Sequence, residues 1–203
     1  MKLITATIIS FGLAVPSLGQ AEVGTELARR APALTLDEVR SVSPALEQYT
    51  RKDLLGDVWK RPGLSPRDRS IVTLSTLIAR GQTIEMPFHF ELALDNGVKH
   101  GEISEIITHL AFYSGWANAN SAVAVVKDIF ARRSIGPEQL PKASPQLLPV
   151  DQASENRRAV SVQETVGPVS PGLVKDTGDL LFKNLWLRPD LAPRDRSLVT
   201  SAL

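Results

Sequence analysis

All three histidines of this chain lie in one window, at His89, His100 and His109. His89 stands four residues after Glu85. On a helix that spacing stacks the two side chains on one face, a turn apart. A carboxylate held beside an imidazole is an acid/base pair, because the carboxylate raises the basicity of the ring. The same spacing also gives an ordinary surface pair worth a few tenths of a kcal/mol. Met86 and Phe88 flank the pair and point to partial burial. His109 follows Ile106 and precedes Tyr113 on an apolar stripe, a setting that suits a hydrogen-bonded core histidine. His100 precedes Gly101 and Glu102 and reads as a surface or capping residue. Glu85, His89 and His109 are chemically able to hold a metal, but the pattern is a weak ligand signature and no metal is expected. Arg67 and Arg69 bracket Asp68, which reads as a capping and ion-pairing residue. Arg67, Arg69 or Arg61 could grip a substrate carboxylate bidentately. Trp59 and Trp116 read as packing residues.

Composition removes other chemistries. The chain has 203 residues and no cysteine, which excludes thiolate nucleophiles, thiol redox and disulfide scaffolds. There is no glycine-rich phosphate loop and no Gly-x-Ser-x-Gly elbow. Lys and Arg number 23 against 22 Asp and Glu, so nothing marks a nucleic-acid binder. With 43% hydrophobic and 22% charged residues the chain suits an ordinary folded protein of one or two domains.

The elements that must carry these residues are helices; strand signals are almost absent. Residues 53–60 read as the end of an amphipathic helix. Ser65, Pro66 and Asp68 open the next, as N-cap, first residue and capping-box partner, with Gly81 closing it. Thr83 reads as the cap of a helix that holds Pro87 in its first turn and ends at Asn96-Gly97. Residues 102–113 form a third helix, closed by Gly115, and residues 116–133 a fourth. The expected fold is an all-α domain with short connections.

At the N-terminus, Lys2, an apolar run to Val15 and the small residues Gly19 to Ala21 read as a cleavable export signal over residues 1–21, cut after Ala21. The run is too short to span a bilayer. A periplasmic or secreted protein with no membrane span after cleavage is expected. Residues 22–41 read as a helical lead-in, 42–133 as the main domain and 134–168, rich in Pro, Gln, Ser and Glu, as a linker. Residues 169–203 then repeat residues 42–76 at a constant offset of 127, with 17 of 35 positions identical, Trp59/Trp186 and Arg61/Arg188 among them. This reads as the start of a second copy, truncated inside its helix.

The motifs LSPRDRSIVTLSTLIARGQ, EMPFHFELALDNGV and GEISEIITHLAFYSGWANANSAV, in that order, resemble the carboxymuconolactone decarboxylase family over residues 53–133, and residues 180–203 resemble the start of a second copy. The resemblance implies a fold shared with the AhpD-like alkylhydroperoxidase proteins and assembly into trimers or hexamers. AhpD-like members carry a Cys-x-x-Cys pair ahead of their histidine. Gln82 and Glu85 stand there in this chain, which rules out that peroxidase chemistry. What it implies is a cofactor-independent decarboxylase acting on a small carboxylic acid or lactone. In that role His89 is the proton donor and Glu85 orients it, Arg67 or Arg69 holds a carboxylate, and His109 and Tyr113 line the pocket. Export sits poorly with the family's name-giving cytoplasmic reaction. The alternative is a non-catalytic helical oligomeric binding or scaffold protein that kept the fold. A metal-dependent hydrolase is a third, weaker reading.

Overall fold

The computed structural model describes residues 34–203. The stretch expected to be an export signal, residues 1–21, and the expected lead-in up to residue 33 lie outside the described residues. Among the described residues the secondary structure is helical throughout.

Helix α1 (Leu36–Val42) starts at a full capping box. The Thr35 hydroxyl accepts from the Glu38 N–H at 3.2 Å, and the Glu38 carboxylate accepts from the Thr35 N–H at 2.7 Å. Helix α2 (Pro44–Tyr49) runs into a π-helical turn, Thr50–Leu54, and a 3-10 turn, Val58–Lys60. The continuous helix end expected over 53–60 is thus broken. Gly56 lies at the break, where a Cβ would sit 2.1 Å from the Lys52 carbonyl oxygen.

The core is built by α3 (Pro66–Ala79), α4 (Met86–Asp95), α5 (His100–Ser114) and α6 (Trp116–Arg132). Ser65 caps α3, its hydroxyl accepting from the Asp68 N–H at 3.1 Å. Glu85, rather than Thr83, occupies the N-cap position of α4, and Thr83 lies in the preceding turn. Ile71, Leu74 and Ile78 of α3, Phe90 of α4, and Ile103, Ile106 and Leu110 of α5 are wholly buried against one another. Each such side chain contributes on the order of 1.5–3 kcal/mol relative to exposure. Gly115 takes φ +96 between α5 and α6, a value that side chains resist.

The stretch expected to be a linker holds a helix of its own, α7 (Gln152–Thr165). The Asp151 carboxylate caps it, accepting from the Ala153 and Ser154 N–H groups at 3.1 Å. Glu155 pairs with Arg158, whose guanidinium stands 4.4 Å over the Phe182 ring.

The C-terminal segment follows the order of the early one. Helix α8 (Pro171–Asp176), a π-helical turn (Thr177–Phe182), a 3-10 turn (Leu185–Leu187) and helix α9 (Pro193–Ser201) each begin 127 residues after α2, Thr50, Val58 and α3. Helix α9 packs on α3 and α5, and its Val199, with Leu191, is wholly buried in the main core. Arg67 donates to Asp195 at 2.7 Å, while Arg194 grips Asp68 with bonds of 2.6 and 2.7 Å. Each arginine reaches the aspartate that follows the other, so α3 and α9 meet about a local two-fold axis.

Candidate active site

A cavity of about 640 Å³ opens beside the start of α4. Its floor is α4, which presents Glu85, Phe88, His89 and Leu92. The turns after α2 add Thr50, Leu54, Leu55 and Trp59, α3 adds Thr73, and Leu34, Thr35, Leu36 and Val39 form the wall at α1. Pro87 in the first turn of α4 is tolerated because no helical carbonyl awaits its missing N–H. The helix therefore starts in time to place Glu85 and His89 one turn apart, their backbones joined by the His89 N–H to Glu85 carbonyl bond of 3.3 Å. The two side chains are both partly buried and line the same cavity.

The His89 ring lies edge-on to Phe88, with centroids 5.1 Å apart, and is tilted toward Trp59 at 6.3 Å. Burial pushes its pKa below the ordinary value, and the nearby Glu85 charge offsets part of that. A partly buried imidazole beside a carboxylate is suited to acid/base work.

The other residues singled out by type lie elsewhere. Arg67 is held by Glu102 and Asp195, each at 2.7 Å. Arg69 donates to the Val58, Arg61 and Leu64 carbonyls and so fastens the loop before α3. Arg61 pairs with Asp57 at 2.6 Å. None of the three lines the His89 cavity, because each guanidinium is spent on a carboxylate or carbonyl of the protein itself. His100 is the first residue of α5 and sits on a shallow groove with Lys99, Arg132 and Arg133.

His109 and Tyr113 form a second, separate cluster on α5 that the C-terminal segment completes. The His109 ring stacks on Tyr113 at 4.7 Å and meets Trp186 edge-on at 5.2 Å, and the Trp186 indole N–H donates to the Tyr113 oxygen at 2.9 Å. Glu105, one turn before His109, accepts from Arg188 at 2.6 Å and from Arg196 at 2.8 Å. Burial pushes the Glu105 carboxyl up, but these two donors outweigh it and leave the group below the usual carboxylate range. His109 and Arg196 are wholly buried. The expected shared pocket of His89 with His109 and Tyr113 is therefore two sites, one an open cavity and one a closed polar core. The repeat makes Trp186, Arg188, Arg196 and Thr200 the counterparts of Trp59, Arg61, Arg69 and Thr73, but it carried no signal that they would gather on α5. Residues that sequence reasoning left out of the cavity are Trp59, read as packing, together with Thr73 and the α1 wall. Among the described residues no group of His, Asp and Glu is arranged to hold a metal ion.

The described residues thus form an all-helical domain with a Glu-x-x-x-His pair on the wall of a mainly apolar cavity. The Carboxymuconolactone decarboxylase family profile matches residues 44–128. The chain is 31% identical over 122 residues to 4-carboxymuconolactone decarboxylase from Acinetobacter baylyi, covering 60% of this chain and 91% of that protein. It is 38% identical over 72 residues to nitrosuccinic acid decarboxylase from Metarhizium robertsii, covering 36% of this chain and half of that protein. This chain belongs to the carboxymuconolactone decarboxylase family.

Proposed function

We propose that this chain is a cofactor-independent carboxy-lyase that removes carbon dioxide from a small carboxylated lactone or related acid in the His89 cavity. The observation that carries the reading is the convergence of Glu85 and His89 on one wall of that cavity. Two relatives named as decarboxylases support it. In the reaction the bond to the carboxylate breaks and its electron pair moves into a conjugated carbonyl, leaving an enolate. His89 returns a proton to carbon, and Glu85 holds the ring in place. Trp59 and Thr73 face the cavity, whereas their counterparts Trp186 and Thr200 are hydrogen-bonded to Tyr113 and His109. An indole N–H and a hydroxyl are thereby available to the enolate oxygen. The repeat of elements at a fixed offset supports reading residues 169–203 as the opening of a second copy.

The test is carbon dioxide release from a panel of carboxylated lactones and unsaturated acids by the wild type, His89→Ala and Glu85→Gln. The expected result is release that falls by at least about 100-fold in His89→Ala, the usual span for a lost general acid, and less in Glu85→Gln. Release that persists in His89→Ala overturns the assignment.

A further inference from the structure

We propose that the face formed by residues 58–73 is a docking surface for a helix of the α5 type, one carrying Glu-x-x-x-His-x-x-x-Tyr, from another domain of this family. The contact that such a face makes is already present once in the molecule. In the C-terminal segment Arg188 and Arg196 hold Glu105, Thr200 meets His109, and the Trp186 N–H donates to Tyr113. At the offset of 127 the counterparts of these four are Arg61, Arg69, Thr73 and Trp59, the same residue types. The backbone presents them in the same way. Arg61 stands at φ −62, ψ 139 and Arg188 at φ −68, ψ 128, each just after a 3-10 turn. The early segment thus carries the whole grip.

What differs is the occupant. Leu185 and Leu191 are 3% and 0% exposed, while their counterparts Val58 and Leu64 are each 38% exposed. The Arg188 side chain is 11% exposed and that of Arg61 62%. Among the described residues, then, the early face is open where the late one is closed. Arg61 pairs with Asp57, an exposed contact of small worth that an incoming carboxylate can displace. Arg69 is bonded to carbonyls, that of Arg61 among them, but Arg196 holds the Arg188 carbonyl and Glu105 with one nitrogen. A guanidinium in this place can fasten its loop and take a carboxylate together. The pattern Glu-x-x-x-His-x-x-x-Tyr occurs once in the 203 residues, at Glu105, His109 and Tyr113, and residues 169–203 already hold it. Residues 1–33 contain neither histidine nor tyrosine, so the lead-in cannot make these contacts. Helix α5 lies within the stretch that the family profile matches, which places the fitting helix in other domains of the family. Once docked, its tyrosine and histidine meet the Trp59 N–H and the Thr73 hydroxyl, and its carboxylate is buried between two guanidinium groups.

The experiment titrates a fluorescently labelled peptide of residues 98–116, held helical by a hydrocarbon staple between positions 104 and 108, with the full chain, and follows its anisotropy. Binding is expected with the wild type. It is expected to weaken about tenfold or more with Arg61→Gln, and equally with Glu105→Gln in the peptide, the usual loss when one side of a buried charge pair goes. Arg61 is exposed, so its loss spares the fold. The two changes together are expected to cost little more than either alone, because both remove one contact. Trp59→Phe, which keeps a ring and drops the N–H, is expected to weaken the wild-type peptide but not a peptide with Tyr113→Phe. No binding, binding indifferent to Arg61→Gln, or losses that add in full each overturn the proposal. A response to Arg188→Gln in place of Arg61→Gln does so as well, since it puts the peptide on the C-terminal segment in exchange for α5. Binding that appears only when residues 1–33 are removed gives the face to the lead-in and is equally fatal.

Discussion

His109 makes one hydrogen bond whose direction can be worked out. The Thr200 hydroxyl donates to the Arg196 carbonyl at 2.9 Å, so its oxygen is an acceptor for His109 Nε2 at 2.9 Å. The ring is then protonated at Nε2 and bare at Nδ1, which faces the Arg196 guanidinium at 3.5 Å. A second proton would have to enter there. Burial first, and then the Arg196 charge, lower its pKa from 6.5 to about 4. The folded ring therefore holds fewer protons than the unfolded one. Its stabilisation is complete above the unfolded value and drains away as the pH falls from about 6.5 to about 4, by about 3 kcal/mol. Urea midpoints measured across that range should fall for the wild type, and His109→Gln should lack this share of the slope. Arg196→Ala should be harsher at neutral pH. It leaves the Glu105 carboxylate with Arg188 as its remaining partner, and a loss of about 3 kcal/mol is expected in urea unfolding. The Glu85–His89 pair was legible at this scale because a helical period of four is all it needs. That Trp59 lines a cavity was not legible, since the expected continuous helix end is replaced by the short Val58–Lys60 turn, and a turn's facing is set by elements packed against it.

Caps and breaks decide the elements. Ser65 supplies the hydroxyl that α3 needs, and Ser65→Ala should cost about 1 kcal/mol by thermal unfolding. Gly115→Ala should cost about 1–2 kcal/mol by the same measurement, since φ +96 is strained for alanine while no atom lies within 4 Å of the added carbon. The helices from residue 66 to 132 were legible because each carries an apolar stripe and because α3, α4 and α5 stop at Gly81, at Asn96-Gly97 and at Gly115. Two elements were not. The Thr50–Lys60 stretch breaks where Gly56 brings a backbone carbonyl within 2.1 Å of its own missing side chain, a contact that periodicity does not report. Helix α7 hides in a polar sequence because its support comes from an aspartate cap and from Arg158 lying on Phe182, a residue far along the chain.

At the scale of the molecule, the closing segment is held to α3 and α5 by a buried apolar seam and by charge pairs at its rim. Arg194 is mostly exposed, so solvent screening leaves the Asp68–Arg194 pair a small contribution. Charge exchange reads it directly. Asp68→Arg and Arg194→Asp should each lower the melting temperature, and the double exchange should recover part of the loss. The docking itself was not legible in the sequence. The repeat announced that residues 169–203 would resemble 42–76, but not that Trp186 and Arg196 would close over α5, because that depends on a surface assembled from distant helices.

The reciprocal arginine–aspartate pairs have a consequence for how this contact responds to dilution. Two like segments facing each other across a two-fold axis are the geometry of a dimer of identical chains, whose halves part as the protein is diluted. Here both halves sit on one polypeptide, joined through residues 80–192, and the tether keeps each at a local concentration on the order of millimolar to the other whatever the solution holds. Contacts too weak to hold two free molecules together at cellular abundance are then enough to keep His109 dry. The same arithmetic makes a cut in the tether costly. A single proteolytic nick between Ile135 and Val150 leaves each surface bond in place and removes this advantage, turning a unimolecular equilibrium into a bimolecular one.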